Sequence, residues 1–507
     1  MRNRTDNNSG YSSEFSSSDE DTQLKKVHAR MCGVGHQRNT DIVPRPGASP
    51  GYWLSCLLPL SLVATYWTNL HEEPQRCSNI PQQYKLVTLT ALTICIQNIS
   101  FFMYLALQAK LYKWLIVFIP FVGGTCIFKF GLGMNWWLAF VWTLFIDVIF
   151  QRCYIQVMRD LPKSFTYGEA SILTQGIFLF VMNTLIMGYH LIVTEPVKEN
   201  ANEMQTLSTI MMFALLWLLL VCTSLLACQF LRKPFIFYPI MMTFVAAATL
   251  APVTKPLPVI AVFEFIFQDR MRLYIILFYV ALVIATVAVV CWQLRNAQHA
   301  TTSVRKLFHI FMVLVYIPGL LYECAFLYIA SGVAMALITI FDLLRILKMP
   351  PLGEILEKAF HSFADEKDAG IIAFTPMCLL IGCSLPIWIM PCPCATNEHG
   401  LNVKLLPLLS GVLTIGFGDT AASVIGSKYG RNKWKNSSRS VEGSVAFVLY
   451  VLLPIAILNL MEFVQLNVVQ WSVTVVATLI SALVEARTDQ IDNLVLPLVF
   501  YIIISLC

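Results

Sequence analysis

The chain has 507 residues, of which 57% are hydrophobic and only 13% charged, with a formal net charge of +5. That balance excludes an ordinary soluble globular protein. So small a positive excess gives no ground for a nucleic-acid binder, and its meaning lies in which loops hold the charges.

Residues 1 to 48 are poor in apolar side chains, include "SSEFSSSDEDTQ", and read as a disordered polar tail. The chain opens without the charged start and apolar core of a cleavable signal peptide, so a first span near 52 to 69 acts as the targeting signal. Runs at 85 to 107, 205 to 229, 272 to 293 and 443 to 463 each reach the length a membrane crossing needs. Counted along the chain, such runs predict an all-α polytopic membrane protein of roughly 13 to 16 transmembrane helices joined by short loops. The stretches 233 to 267 and 307 to 347 do not divide cleanly. We expect a multi-span N-terminal region over 49 to 295, suited to lipid binding, and a second multi-span region over 296 to 507.

Polar residues inside apolar runs are expensive and need a reason. His190 reads as a satisfied interface residue. Glu323, Asp342 and Arg345 are candidates to pair or to line a site, and Asp342 and Arg345, one helical turn apart, suit an ion pair at a helix end. The 15 cysteines follow no metal spacing and mostly sit where a thiol acts as a small hydrophobe. Cys392 and Cys394 in "PCPCATNEHG" share a loop but do not make a metal site.

Basic residues mark cytoplasmic loops. Arg295, Arg305 and Lys306 occupy one loop; Arg345, Lys348, Lys358 and Lys367 the next but one; Lys428, Arg431, Lys433, Lys435 and Arg439 the next but one again. The connections at 391 to 403 and 464 to 468 contain no Lys or Arg, and one more pair of spans returns the chain to the basic side at "EARTDQIDN", residues 485 to 493. Four polar segments therefore share a cytosolic face, provided that 307 to 347 crosses twice. On that placement the acceptor sequence Asn436-Ser437-Ser438 stays unglycosylated.

One of these segments, "GDTAASVIGSKYGRNKWKNSSRSVEGS" at 418 to 444, interrupts the apolar pattern most strongly. Gly411, Gly416 and Gly418 break the preceding run, Asp419 and Thr420 are natural N-caps, and a short helix is expected to start there. Unpaired N–H groups at such a start attract anions, and Ala421, Ala422, Ser423 and Gly426 leave room for close approach. The five basic residues that follow suit a triphosphate. Asp419 and Glu442 are candidate ligands for its Mg²⁺. The chain contains no G-x-x-x-x-G-K-[ST], G-x-S-x-G or H-E-x-x-H motif. Residue patterns alone thus lead to a membrane-embedded anion or nucleotide site.

"GDTAASVIGSKYGR" followed by "RSVEGS" resembles the nucleotide loop of the CTP-dependent polyprenol kinases, and "VRKLFH" at 304 to 309 and "QIDNLVLPL" at 490 to 498 resemble two further elements of that family. The resemblance implies a multi-pass enzyme of the endoplasmic reticulum that moves the terminal phosphate of CTP to a lipid alcohol at the cytosolic face. The N-terminal spans narrow that alcohol to dolichol, as a step toward protein glycosylation. Carried over residue by residue, CTP binding falls on Gly418, Gly426, Lys428, Gly430, Arg431, Lys433, Arg439 and Gly443. Catalysis falls on Asp419, Glu442, Arg305, Lys306 and Asp492, with His309 and Asn493 as further candidates. Arg439 stands where Lys is common in the family, and Ser444 where Thr is. The competing readings are a CTP:lipid cytidylyltransferase, a kinase of another lipid alcohol, and a transporter with a broken helix at 416 to 419.

Overall fold

The computed structural model describes residues 42–71, 82–106, 113–193, 203–250, 257–296, 300–364, 366–368, 370–395, 404–435 and 437–506. The expected tail from 1 to 41 and the acceptor Asn436 lie outside the described residues. Hydrocarbon offers the backbone no hydrogen bonds, so apolar runs of this length fold as helices. The N-terminal region supplies α1 (Leu57–His71), α2 (Gln82–Ala106), α3 (Lys113–Leu132), α4 (Trp136–Asp160), α5 (Tyr167–Val193), α6 (Glu203–Ala227), α7 (Pro234–Leu250), α8 (Pro258–Gln268) and α9 (Arg270–Arg295). The C-terminal region supplies α10 (Thr302–Tyr322), α11 (Cys324–Ile346), α12 (Gly353–Phe363) and α13 (Phe374–Ile389). It continues through a π-helical segment (Val412–Asp419) into α14 (Thr420–Tyr429), then α15 (Val441–Leu460), α16 (Val468–Arg487) and α17 (Asp492–Ser505). Among the described residues nine helices are long and apolar enough to cross a membrane, and five shorter apolar helices accompany them.

Both stretches that resisted division now have a physical explanation. α10 and α11 are separate helices that break at Glu323, so 307 to 347 crosses twice and the basic loops do face one way. Arg272, at the start of α9, pairs with Glu323 at 2.9 Å and with Glu203 at 3.5 Å, all at the end away from those loops. α7 and α8 therefore carry the chain across once between them, as two halves of a broken span.

α17 is the central post. Its apolar sequence is buried nearly all round, from Leu494 to Tyr501, as expected of a helix hydrophobic on every side. One face joins α1 to α5 and α13 in one core, and the other joins α10, α11, α15 and α16 in a second. Close approach around it depends on small residues. A Cβ on Gly411 would stand 2.6 Å from the Cys383 Cα and closer still to the Gly382 carbonyl.

Two expectations need amendment. Residues 42 to 45, assigned to the polar tail, are at least partly buried, with Arg45 only 4% exposed. A buried guanidinium requires a partner, and Glu169 supplies it. The loop cysteines are both disulfide-bonded, Cys394 to Cys324 across a Cα separation of 5.4 Å. Asp342 and Arg345 do form the expected pair at the end of α11, extended by Glu357 at 3.2 Å.

Replacing Gly411 by Val should lower the melting temperature in detergent by the equivalent of about 1–3 kcal/mol or more, the cost of forcing extra atoms into a packed contact.

Candidate active site

The site is assembled on the π-helical segment. Asp419 and Thr420 do not start a new helix: both have right-handed helical backbone, Asp419 makes no capping bond, and the segment runs unbroken into α14. The wider π turn absorbs the irregularity that the glycines announced, and the Thr420 hydroxyl donates back to the Ile415 carbonyl at 3.2 Å. The helix start expected at Asp419, with its free N–H groups, is therefore absent. Asp419 is instead aimed inward and is 1% exposed.

A carboxylate so buried must be matched by a cation. Lys306 of α10 donates to Asp419 Oδ2, and His309, one turn further along the same helix face, stands with Nδ1 3.5 Å from that oxygen and 3.4 Å from Thr420 Oγ1. A second cluster adjoins it. Asp492 Oδ2 lies 3.1 Å from Lys367 Nζ and 3.3 Å from Arg439 Nη2, while Arg439 Nη1 pairs with Glu485 at the end of α16. Burial alone would lower the pKa of the Arg439 guanidinium, but Glu485, Asp492 and Asp419 outweigh it and raise the pKa above its usual value. Three carboxylates thus meet three cations on one side of the bundle. Asn493 is buried behind them and donates its backbone N–H to Asp492 Oδ1 at 3.1 Å.

The basic loop is a short hairpin over this cluster. Lys433 bridges to Ser440, the Trp434 N–H donates to the Arg439 carbonyl at 3.0 Å, and the Val441 N–H to the Asn432 carbonyl at 2.8 Å. Trp434 Nε1 donates to Ser444 Oγ at 3.0 Å and Ser437 Oγ to the Ala486 carbonyl at 3.0 Å, tying the hairpin to α15 and α16. Ser440 caps α15 by accepting from the Gly443 N–H at 3.1 Å.

The residues expected to bind nucleotide therefore divide. Lys428, Arg431 and Lys433 are exposed on the rim, whereas Arg439 points in. Arg305 is half-buried beside Lys306. Gly418 lacks a Cβ that would stand 2.7 Å from the Phe447 ring, and Gly426 and Gly443 cross each other where α14 meets α15, so these glycines serve helix packing. Gly430 ends α14, its N–H donating to the Gly426 carbonyl at 3.1 Å. Glu442 is not joined to Asp419 by any hydrogen bond or ion pair among the described residues; its carboxylate accepts from the Asn432 N–H at 3.1 Å and from Asn432 Nδ2 at 2.9 Å. No group of three or more potential metal ligands occurs among the described residues. Mg²⁺ commonly takes only one or two carboxylates beside phosphate oxygens and water, a demand Asp419 can meet.

Sequence reasoning missed Lys367 and Glu485. A signal existed for Glu485, a lone carboxylate closing an otherwise apolar span. On the membrane side of Asp419, α10, the π segment and α15 enclose an apolar cleft of about 330 Å³ lined by Ile317, Leu321, Phe417, Leu453 and Pro454.

Comparison with known proteins places these observations in a family. The profile described as "Dolichol kinase" matches residues 138–378. The chain is similar to the dolichol kinase of Bos taurus, 30% identical and covering 70% of this chain and 68% of that protein. It is also similar to the dolichol kinase of Homo sapiens, 28% identical with 76% and 73% covered, and to the dolichol kinase EVAN of Arabidopsis thaliana, 28% identical with 74% and 70% covered. No solved structure matches the chain.

Removing Lys306 while leaving Asp419 strands a buried charge. Lys306→Met should destabilise the folded protein by about 3–5 kcal/mol in detergent unfolding, and adding Asp419→Asn should restore most of that loss.

Proposed function

The chain belongs to the dolichol kinase family, and on that premise we propose that it transfers the terminal phosphate of CTP to the hydroxyl of dolichol. The observation that carries this reading is the buried Asp419 carboxylate, flanked by Lys306 and His309 beneath a basic rim, with an apolar cleft deeper between the same helices. A long isoprenoid alcohol needs that combination: hydrocarbon for the chain, a polar terminus for the hydroxyl, and cations for the donor.

Phosphoryl transfer asks a protein mainly for positioning and charge neutralisation. In our reading the isoprenoid end of the lipid lies along the cleft and its hydroxyl reaches Asp419. The alcohol oxygen attacks the terminal phosphorus, the bond from that phosphorus to the bridging oxygen breaks, CDP leaves, and the alcohol proton passes to Asp419. Asp419 is the better base of the two because one cation, Lys306, engages it, whereas both Lys367 and Arg439 engage Asp492. Lys428, Arg431 and Lys433 receive the nucleotide phosphates from the rim. Arg439 orders Glu485 and Asp492, and Lys306 steers the transferring group. Asp419 would hold a divalent cation bound with the nucleotide, with Glu442 available at the hairpin base, and that ion would supply charge withdrawal at the phosphate oxygens.

Two observations support a cytosolic site in the endoplasmic reticulum membrane. The basic loops gather at the site, and the Cys324–Cys394 disulfide lies at the opposite end of α11 and α13, where an oxidising lumen would preserve it.

The deciding assay supplies membranes containing the protein with dolichol, Mg²⁺, and CTP labelled at either its terminal or its innermost phosphate. Terminal label should enter the lipid; innermost label there would mean cytidylyl transfer instead. Asp419→Ala should reduce incorporation to background while the protein still inserts, and normal activity in that variant would refute the assignment. For orientation, Cys324→Ser should expose Cys394 to a membrane-impermeant maleimide only after sealed microsomes are opened. Labelling of intact cytosol-side-out vesicles would reverse the topology.

A further inference from the structure

The loop that presents Asp492 is gripped by residues far away in sequence. Arg45 Nη2 stands 2.7 Å from Glu169 Oε1, with both side chains buried, and the same Arg45 nitrogen donates to the Asp489 carbonyl at 3.3 Å. Its other terminal nitrogen donates to the Lys367 carbonyl at 3.5 Å. Glu169 Oε1 also accepts from the Ile491 N–H at 3.0 Å, and its Oε2 from the Thr166 N–H at 3.0 Å. Ser49 completes the grip: its N–H and hydroxyl donate to the two Asp489 oxygens at 2.6 and 2.7 Å, and its carbonyl accepts from Gln490 Nε2 at 2.9 Å.

Each of these contacts acts on the backbone or on a residue beside the site, and none is made to Asp492 itself. Arg45 touches the main chain at Lys367 and at Asp489, which bracket the Lys367–Asp492 ion pair from both of its sides. Fixing those two points fixes the separation of the pair, and with it the orientation of Arg439.

We propose that Arg45, Ser49 and Glu169 are positioning residues for phosphoryl transfer, which lock the 489–493 loop so that Asp492 stays between Lys367 and Arg439. The N-terminal region thereby takes part in the reaction geometry. This inference rests on the reading of the Asp492 cluster as part of a kinase site.

A purely structural role would lower the amount of folded protein and leave turnover per folded molecule unchanged. The test therefore measures kcat and the KM for dolichol, per folded molecule, in full-length Arg45→Lys and Ser49→Ala, with the melting temperature recorded for each. Arg45→Lys keeps the buried charge but loses the fork that spans Lys367 and Asp489. It should lower kcat by about tenfold, since small displacements relayed from a distance are costly in such chemistry, while the KM for dolichol stays at the wild-type value. Ser49→Ala should do the same to a lesser degree. Combining Arg45→Lys with Lys367→Met should give less than the product of the separate effects, because both act on one pair. Wild-type kcat per folded molecule in Arg45→Lys and Ser49→Ala, or multiplicative effects in the double variant, would overturn the proposal while leaving the kinase reading intact. Wild-type membranes that transfer no phosphate at all would overturn both.

Discussion

A carboxylate cannot be held away from water inside a membrane protein unless a cation is brought to it, and Asp419, 1% exposed, imposes that condition on everything around it. Lys306 has to arrive from α10, so α10 must lie against the π segment, and the π segment must face α10 with the right turn of its backbone. Gly418 permits the approach of Phe447 from the other side. Once Asp419 and Lys306 are fixed, the neighbouring acids Glu485 and Asp492 require cations of their own, which Arg439 and Lys367 supply from separate loops. The resulting cluster is neutral as a whole, and its stability comes from pairing each charge at hydrogen-bond distance.

This neutrality separates two tasks that the basic loop seemed, in sequence, to perform together. Arg439 is drawn inward by Glu485 and Asp492, whereas Lys428, Arg431 and Lys433 stay in water. The outer residues retain a net positive field toward the solvent, the quality that attracts a phosphate chain. The inner one trades that field for geometric control. Deeper in the bundle, the apolar cleft between α10 and α15 is bounded by the same helices whose other ends hold the polar groups.

The spans were legible because twenty apolar residues in a row leave few alternatives, and Asp419 was legible because a charge in such surroundings demands a purpose. The glycines before it were misread as a helix break. A π turn and a break share the same small residues, and only the backbone bonding separates them. Lys367 and Glu485 were invisible as partners because each looks like an ordinary charge at the end of a span, and their roles depend on pairings with Asp492 and Arg439 made through the fold. Arg45 was hidden because it directly follows the polar stretch and no apolar run surrounds it. Composition averages over a window, whereas the burial of Arg45 depends on a single ion pair with Glu169. The pairing of Cys324 with Cys394 was likewise not deducible from a loop that contributes only one of the two partners.

The contact between Ser49 and Asp489 joins residues 440 positions apart. Contacts of such sequence separation form late, because the intervening chain must already be placed. During synthesis the segment around Ser49 emerges early and has no counterpart until nearly every other span has entered the bilayer. Its hydrogen-bonding groups are then exposed and open to other interactions. The reactive arrangement therefore comes into being as one of the last events of assembly, at the same moment as α17 brings the two cores together.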